Sequence, residues 1–164
     1  MSFLFYIGFI IFVRLLELVV AKRNETWARK RGAVEYGKAH YPLIVLLHTL
    51  FIISMIAEYR YRGGTFHLWI FVSCILLTVL KVWTIASLGK YWNTKILRFP
   101  GSVFIKKGPY KLFRHPNYFI VICEIILLPL VFNLYITAIL FSILNAAMLT
   151  VRIREEEKVW AVAN

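Results

Sequence analysis

The chain has 164 residues, enough for one ordinary domain and too few for two. Hydrophobic residues make up 60% of it and charged residues 17%, at a mean hydropathy of +0.71, which excludes a soluble globule because so small a volume cannot hide that much apolar surface. Twenty Lys and Arg face eight acids, all of them Glu, so the surplus of twelve positive charges crowds into the segments outside lipid, where anionic headgroups or anionic ligands would meet it.

The first apolar run, Met1 to Ala21, is interrupted only by Arg14 and Glu17, which lie three residues apart on one helical face and can satisfy each other. It has no basic n-region and no small-residue cleavage site, so it reads as a retained span that can double as a signal anchor. The runs from Tyr41 to Ala57 and from Gly63 to Leu80 carry no formal charge, and the second continues past Lys81 toward Gly89. Each can cross a bilayer as one helix, and Lys81 is expected to snorkel toward the basic face. The next uncharged run, Pro116 to Val151, contains only Glu124. Its 36 residues would make about 54 Å of helix, nearly twice the roughly 30 Å hydrocarbon thickness, which predicts a helical hairpin bent at Pro129 and Asn133. Glu124 has no opposite charge near it in sequence and must be protonated, paired across helices or exposed to a cavity.

These runs predict an all-α integral membrane protein of five transmembrane helices in a single domain. Residues 1–87 form three N-terminal spans, and residues 88–164 form a linker, the hairpin and a tail. Sixteen basic residues fall in the segments from Lys22 to His40 and from Leu88 to His115 and in the tail, against Arg60 and Arg62 alone on the other side. That asymmetry predicts an N-terminus outside and a C-terminus in the cytoplasm, with a bacterial cytoplasmic membrane as the expected location. The sequon Asn24-Glu25-Thr26 then lies on the cytoplasmic side and carries no weight. Cys74 and Cys123 read as small buried hydrophobes, His48 and His67 have no partners at metal-ligand spacing, and His40 sits at an interface. No metal and no nucleic-acid partner is expected.

Two segments hold the candidate chemistry. The linker from Leu88 to His115 has no acid, is broken by Gly89, Pro100, Gly101, Gly108 and Pro109, and interleaves basic with aromatic residues. A linker this long either builds a site or lies on anionic lipid. In the tail, Arg152 and Glu156 are four apart and share one helical face, as a solvated helix end would also have it.

Taken together, the run from Gly108 through Tyr110, His115, Pro116 and Asn117 to Tyr118, then an uncharged hairpin, then Arg152 and the Glu156-Glu157 pair, resembles the isoprenylcysteine carboxyl methyltransferase family. The likeness covers Leu88 to Trp160, and the size is similar to small bacterial members that methylate alkylpyrones. It implies a pocket for S-adenosylmethionine at the cytoplasmic membrane face. By position, Tyr110, His115, Pro116, Asn117, Tyr118 and Glu156 correspond to cofactor contacts, and Arg152 to the residue that meets the acceptor. Two departures stand out: Trp160 replaces the usual Leu, and Ser102 to Ile105 lacks the polar residues of the eukaryotic enzymes.

Residue chemistry supports the same assignment. The faces of Tyr110 and Tyr118 suit an aromatic ring or a sulfonium, and the Glu156 carboxylate can accept from hydroxyls or amines. Pro116 pre-sets the first turn of a helix whose amides would face an anion. No GxGxxG motif follows a strand, so a doubly wound nucleotide domain is absent. The function expected is methyl transfer to an anionic oxygen, a carboxylate or a hydroxypyrone enol, on a lipophilic acceptor. The alternatives are an NADPH-dependent membrane reductase, because sterol reductases share a similar C-terminal helical arrangement, and a non-catalytic subunit that binds membrane lipids.

Overall fold

The computed structural model describes residues 2–99 and 107–161, with side chains through Lys158. The linker residues from Pro100 to Lys106, including Ser102 to Ile105, and the Trp160 side chain lie outside this description.

Among the described residues, five α-helices occupy the five expected positions: α1 (Phe3–Arg29), α2 (Tyr41–Arg62), α3 (Leu68–Leu88), α4 (Pro116–Leu130) and α5 (Tyr135–Ala161). Four of them, all but α4, are long and apolar enough to cross a membrane. With 15 residues α4 rises only about 22 Å, whereas its antiparallel partner α5 has 27 residues. The excess length of α5 therefore overhangs the start of α4.

The bend between them has a local cause. Pro129 sits in the last turn of α4, and Asn133 takes the left-handed conformation, with φ 58°, that closes the turn. The Asn133 amide donates to Thr65 Oγ1 at 2.7 Å, and the Leu134 N–H returns to the Pro129 carbonyl. The first amides of α5 would be orphaned here, but the buried Glu58 carboxylate of α2 accepts from Ile136 N at 3.1 Å and Thr137 N at 2.7 Å. Gly64 is required beside this turn, since a Cβ there would lie 2.1 Å from the Phe132 carbonyl oxygen. Phe3 stacks on Tyr59 at 3.8 Å, and both meet the edge of Phe132, so the same end of the bundle holds the aromatic core.

At the opposite end two three-residue strands, β1 (Val34–Tyr36) and β2 (Ile96–Arg98), pair antiparallel with Glu35 opposite Leu97. Sequence reading found no strand, because three residues give no alternation to detect. This pairing brings the segment between α1 and α2 onto the long linker. Arg29 and Lys95 bridge Glu25 and Glu35 across it.

The intramembrane charges differ from expectation at Lys81. It does not snorkel: its side chain is 3% exposed, and its Nζ lies 2.6 Å from Glu17 Oε1 and 2.8 Å from Glu124 Oε1. Arg14 pairs with Glu17, as anticipated, and also with Glu124 at 2.9 Å. Two carboxylates close by supply the partners that a charge inside an apolar run requires.

Candidate active site

The site starts at the end of the linker. Gly108 adopts φ 51° and lies so close to α3 that a Cβ would come within 2.1 Å of Ser87 Oγ. With buried Pro109 it opens a single 3-10 turn, Gly108–Lys111, that fixes Tyr110. Burial, and after it the negative charge of Glu156, push the Tyr110 hydroxyl above its ordinary pKa, so it stays protonated and able to donate.

The next break places the start of α4. His115 precedes the helix with non-helical φ and ψ, and buried Pro116 occupies its first turn. The His115 ring stacks on Tyr118 with centroids 5.0 Å apart and 11° between planes. The amides of Tyr118 and Phe119 both return to the His115 carbonyl, at 3.1 and 3.3 Å. Two first-turn amides that sequence reading offered to an anion are thereby used inside the helix.

The overhang of α5 meets this motif. Tyr118 Oη donates to Glu156 Oε2 at 2.5 Å and accepts from Arg152 Nε at 3.0 Å, while the guanidinium lies 5.5 Å from the Tyr118 ring centroid. His115 Nδ1 lies 3.7 Å from the same Glu156 oxygen. Arg152 is buried, and its Nη2 donates to the Thr94 carbonyl at 2.6 Å. Thr94 Oγ1 in turn contacts Tyr41 Oη at 3.2 Å. No ion pair joins Arg152 directly to Glu156 among the described residues; the phenol stands between them.

Of the seven residues singled out in the sequence, Tyr118 contacts His115, Arg152 and Glu156, the Glu156 charge reaches Tyr110, and Pro116 and Asn117 stand in the first turn of α4. Sequence reasoning missed Thr94, Tyr41 and His40. Thr94 acts on Arg152 through its main-chain carbonyl, which no side-chain pattern reports. His40, buried before α2, has its pKa held below the ordinary range by burial and then by the Arg152 charge.

The donor set has capacity to spare. Glu156 turns Oε2 to the protein and keeps Oε1 without a hydrogen bond among the described residues, and Asn117 Oδ1 is buried without a partner. A buried acceptor in the state of Asn117 Oδ1 is costly unless a ligand completes it, while Glu156, about a fifth exposed, keeps Oε1 open to one. Acceptors beside aromatic faces fit a cation that carries hydroxyls, amines and an aromatic base.

Among known proteins, the family model for isoprenylcysteine carboxyl methyltransferase (ICMT) matches residues 68–162, from the start of α3 to the tail. A Bacillus subtilis (strain 168) protein, named uncharacterized protein YpbQ, is 46% identical over 155 residues, 93% of this chain and 92% of that one. An uncharacterized protein of Haemophilus influenzae is 28% identical over 152 residues, 90% of this chain and 88% of that one. No solved structure matches. The matched region contains the whole Tyr110 to Tyr118 motif with Arg152 and Glu156, and the chain belongs to the isoprenylcysteine carboxyl methyltransferase family.

Proposed function

We propose that the protein is a membrane O-methyltransferase that uses S-adenosylmethionine and acts on a lipophilic acceptor ionised at oxygen, a carboxylate or a hydroxypyrone enol such as an alkylpyrone or an isoprenylcysteine offers. The observation that carries this reading is the Tyr118 hydroxyl, which ties the motif at the start of α4 to both Arg152 and Glu156. Family membership makes a membrane methyltransferase the expectation.

Bound here, the cofactor supplies an electrophilic methyl on a sulfonium. Tyr110, His115, Asn117, Tyr118 and Glu156 would hold it, with Glu156 Oε1 and Asn117 Oδ1 as acceptors and the rings as faces for a cation or a base. Pro116 fixes the chain on which three of these stand. Arg152 has its Nε and Nη2 engaged, and Nη1 has no hydrogen bond among the described residues, so it can take an acceptor anion. An acceptor already ionised at neutral pH needs no general base. The residues then have two tasks, aligning the anion and keeping water away from it. The charge asymmetry of the sequence puts this end of the bundle at the cytoplasmic face, and lipid forms the surroundings from which the acceptor enters.

Purified protein incubated with S-adenosylmethionine and an alkylpyrone or a prenylcysteine acid should yield, by mass spectrometry, an acceptor heavier by one methyl. A folded sample that binds no S-adenosylmethionine overturns the reading. A thermal shift with NADPH in place of S-adenosylmethionine would point to a reductase instead.

A further inference from the structure

Helix α1 touches the bundle at its two ends. Phe3, Tyr6, Ile7 and Ile10 are buried near its start, and Ala21, Asn24, Glu25 and Ala28 near its end. Between Ile10 and Ala21, about 15 Å of helix, no residue is buried. Phe12, Leu15, Leu16 and Val19 are exposed, and only Val13, Arg14 and Glu17 are partly covered. The middle of this helix is therefore held mainly by charge.

That charge is arranged as a square. Arg14 bridges Glu17 and Glu124, and Lys81 bridges the same two carboxylates, at 2.6 to 2.9 Å throughout. Each half is neutral by itself: Arg14 with Glu17 on α1, and Lys81 of α3 with Glu124 of α4. The halves add nothing to each other's charge balance, so what the square contributes to assembly is its two cross-pairs, Arg14 to Glu124 and Glu17 to Lys81. Hydrocarbon gives helices no hydrophobic reason to associate, and such cross-pairs then fix depth and rotation.

The other end of α1 carries the linker. Asn24 donates to the carbonyls of Gly89 at 3.0 Å and Trp92 at 2.7 Å, Asn93 donates back to Ala21 O at 2.8 Å, and Lys95 pairs with Glu25 at 2.8 Å. In the same short segment the Thr94 carbonyl receives Arg152. We propose that Arg14, Glu17, Lys81 and Glu124 are positioning residues: their square sets α1 against α3 and α4, and α1 through the linker sets Arg152. The consequence for turnover rests on the methyltransferase reading, while the consequence for the linker does not.

Reversing one half tests it. Lys81→Glu combined with Glu124→Lys keeps the pair between α3 and α4 but sets like charges against Glu17 and Arg14. Amide hydrogen exchange across residues 89–98 should then quicken about tenfold, with kcat lowered and the affinity for S-adenosylmethionine unchanged. Adding Arg14→Glu and Glu17→Arg makes all four contacts complementary again and should restore both readouts. Exchange in the linker that stays at the wild-type rate in the first variant, or stays fast in the fourfold variant, overturns the proposal. If the reversed half does not fold, Lys81→Met with Glu124→Gln removes the cross-pairs and leaves Arg14 and Glu17 to each other. Unchanged linker protection in that variant overturns the proposal equally. Should the wild type transfer no methyl group at all, the methyltransferase reading fails, and the exchange measurements still decide the role of the square.

Discussion

Arg152 and Glu156, one turn apart on α5, are joined through the hydroxyl of Tyr118, which accepts from Arg152 Nε at 3.0 Å and donates to Glu156 Oε2 at 2.5 Å. A direct ion pair would neutralise both groups. The interposed phenol instead lets each keep a hydrogen-bonding atom to spare, a donor on Arg152 and an acceptor on Glu156. Two ligands of opposite character, a cationic cofactor and an anionic acceptor, can then be held on neighbouring side chains.

Tyr118→Phe removes that hydroxyl and keeps the ring on His115. Hydrogen bonds to charged groups contribute about 1.5 to 3 kcal/mol each, and Arg152 is buried, so the variant should unfold at clearly lower temperature and lose most methyl transfer. Thermal unfolding and product formation on the same preparation check this. Wild-type values for both would show that the phenol bridge is incidental.

Glu156 and Arg152 should differ in which step they serve. Glu156→Gln is expected to weaken S-adenosylmethionine binding by about 1.5 to 3 kcal/mol, roughly ten- to a hundredfold, because a charged acceptor becomes a neutral one. Arg152→Ala should leave that affinity nearly unchanged and depress turnover, and Arg152→Lys should recover only part, since an ammonium lacks the planar fork. Calorimetry on the three variants in one detergent separates these outcomes. Equal loss of cofactor binding in Arg152→Ala would remove the division of labour.

Much of this site was legible before the fold was known, for a physical reason. Tyr110, His115, Asn117 and Tyr118 lie within one helix entry punctuated by Gly108, Pro109 and Pro116, and Arg152 and Glu156 are spaced by one helical turn, so their types and intervals carry the geometry. The hairpin was legible from length alone, as a 36-residue apolar run has to reverse. The linker's attachment was not. It depends on main-chain carbonyls at Gly89, Trp92 and Thr94 and on two strands of three residues, none of which leaves a pattern. The contact between Lys81 and Glu124 also escaped, because a pair 43 residues apart is visible only once α3 and α4 are side by side.

Gly108 makes a different prediction, about the backbone. Gly108→Ala would combine a left-handed φ of 51° with a Cβ 2.1 Å from Ser87 Oγ and 3.0 Å from Ser87 Cβ. Overpacking of this kind costs about 1 to 3 kcal/mol, and the displaced turn carries Tyr110, so stability and S-adenosylmethionine affinity should fall together. Adding Ser87→Ala removes the nearest atom but not the φ, and should recover part of the loss. Full recovery would assign the whole effect to the Oγ clash, and no recovery would assign it to the backbone together with the remaining Cβ contact.

His40 supplies the pH dependence. It is buried ahead of α2, and burial together with the Arg152 charge lowers its pKa in the folded protein, with Glu155 opposing more weakly. The unfolded chain keeps an ordinary histidine pKa of about 6.5 and takes up a proton below it, which the folded chain resists. Stability contributed by neutral His40 is therefore complete above that value and declines as the pH falls below it, until the folded protein's own lowered pKa is passed. The thermal midpoint should drop as the pH falls below about 6.5, and His40→Gln should remove part of the drop while changing little at neutral pH. Midpoints for both proteins across that range provide the check, and equal acid losses in the two would place the titrating group elsewhere.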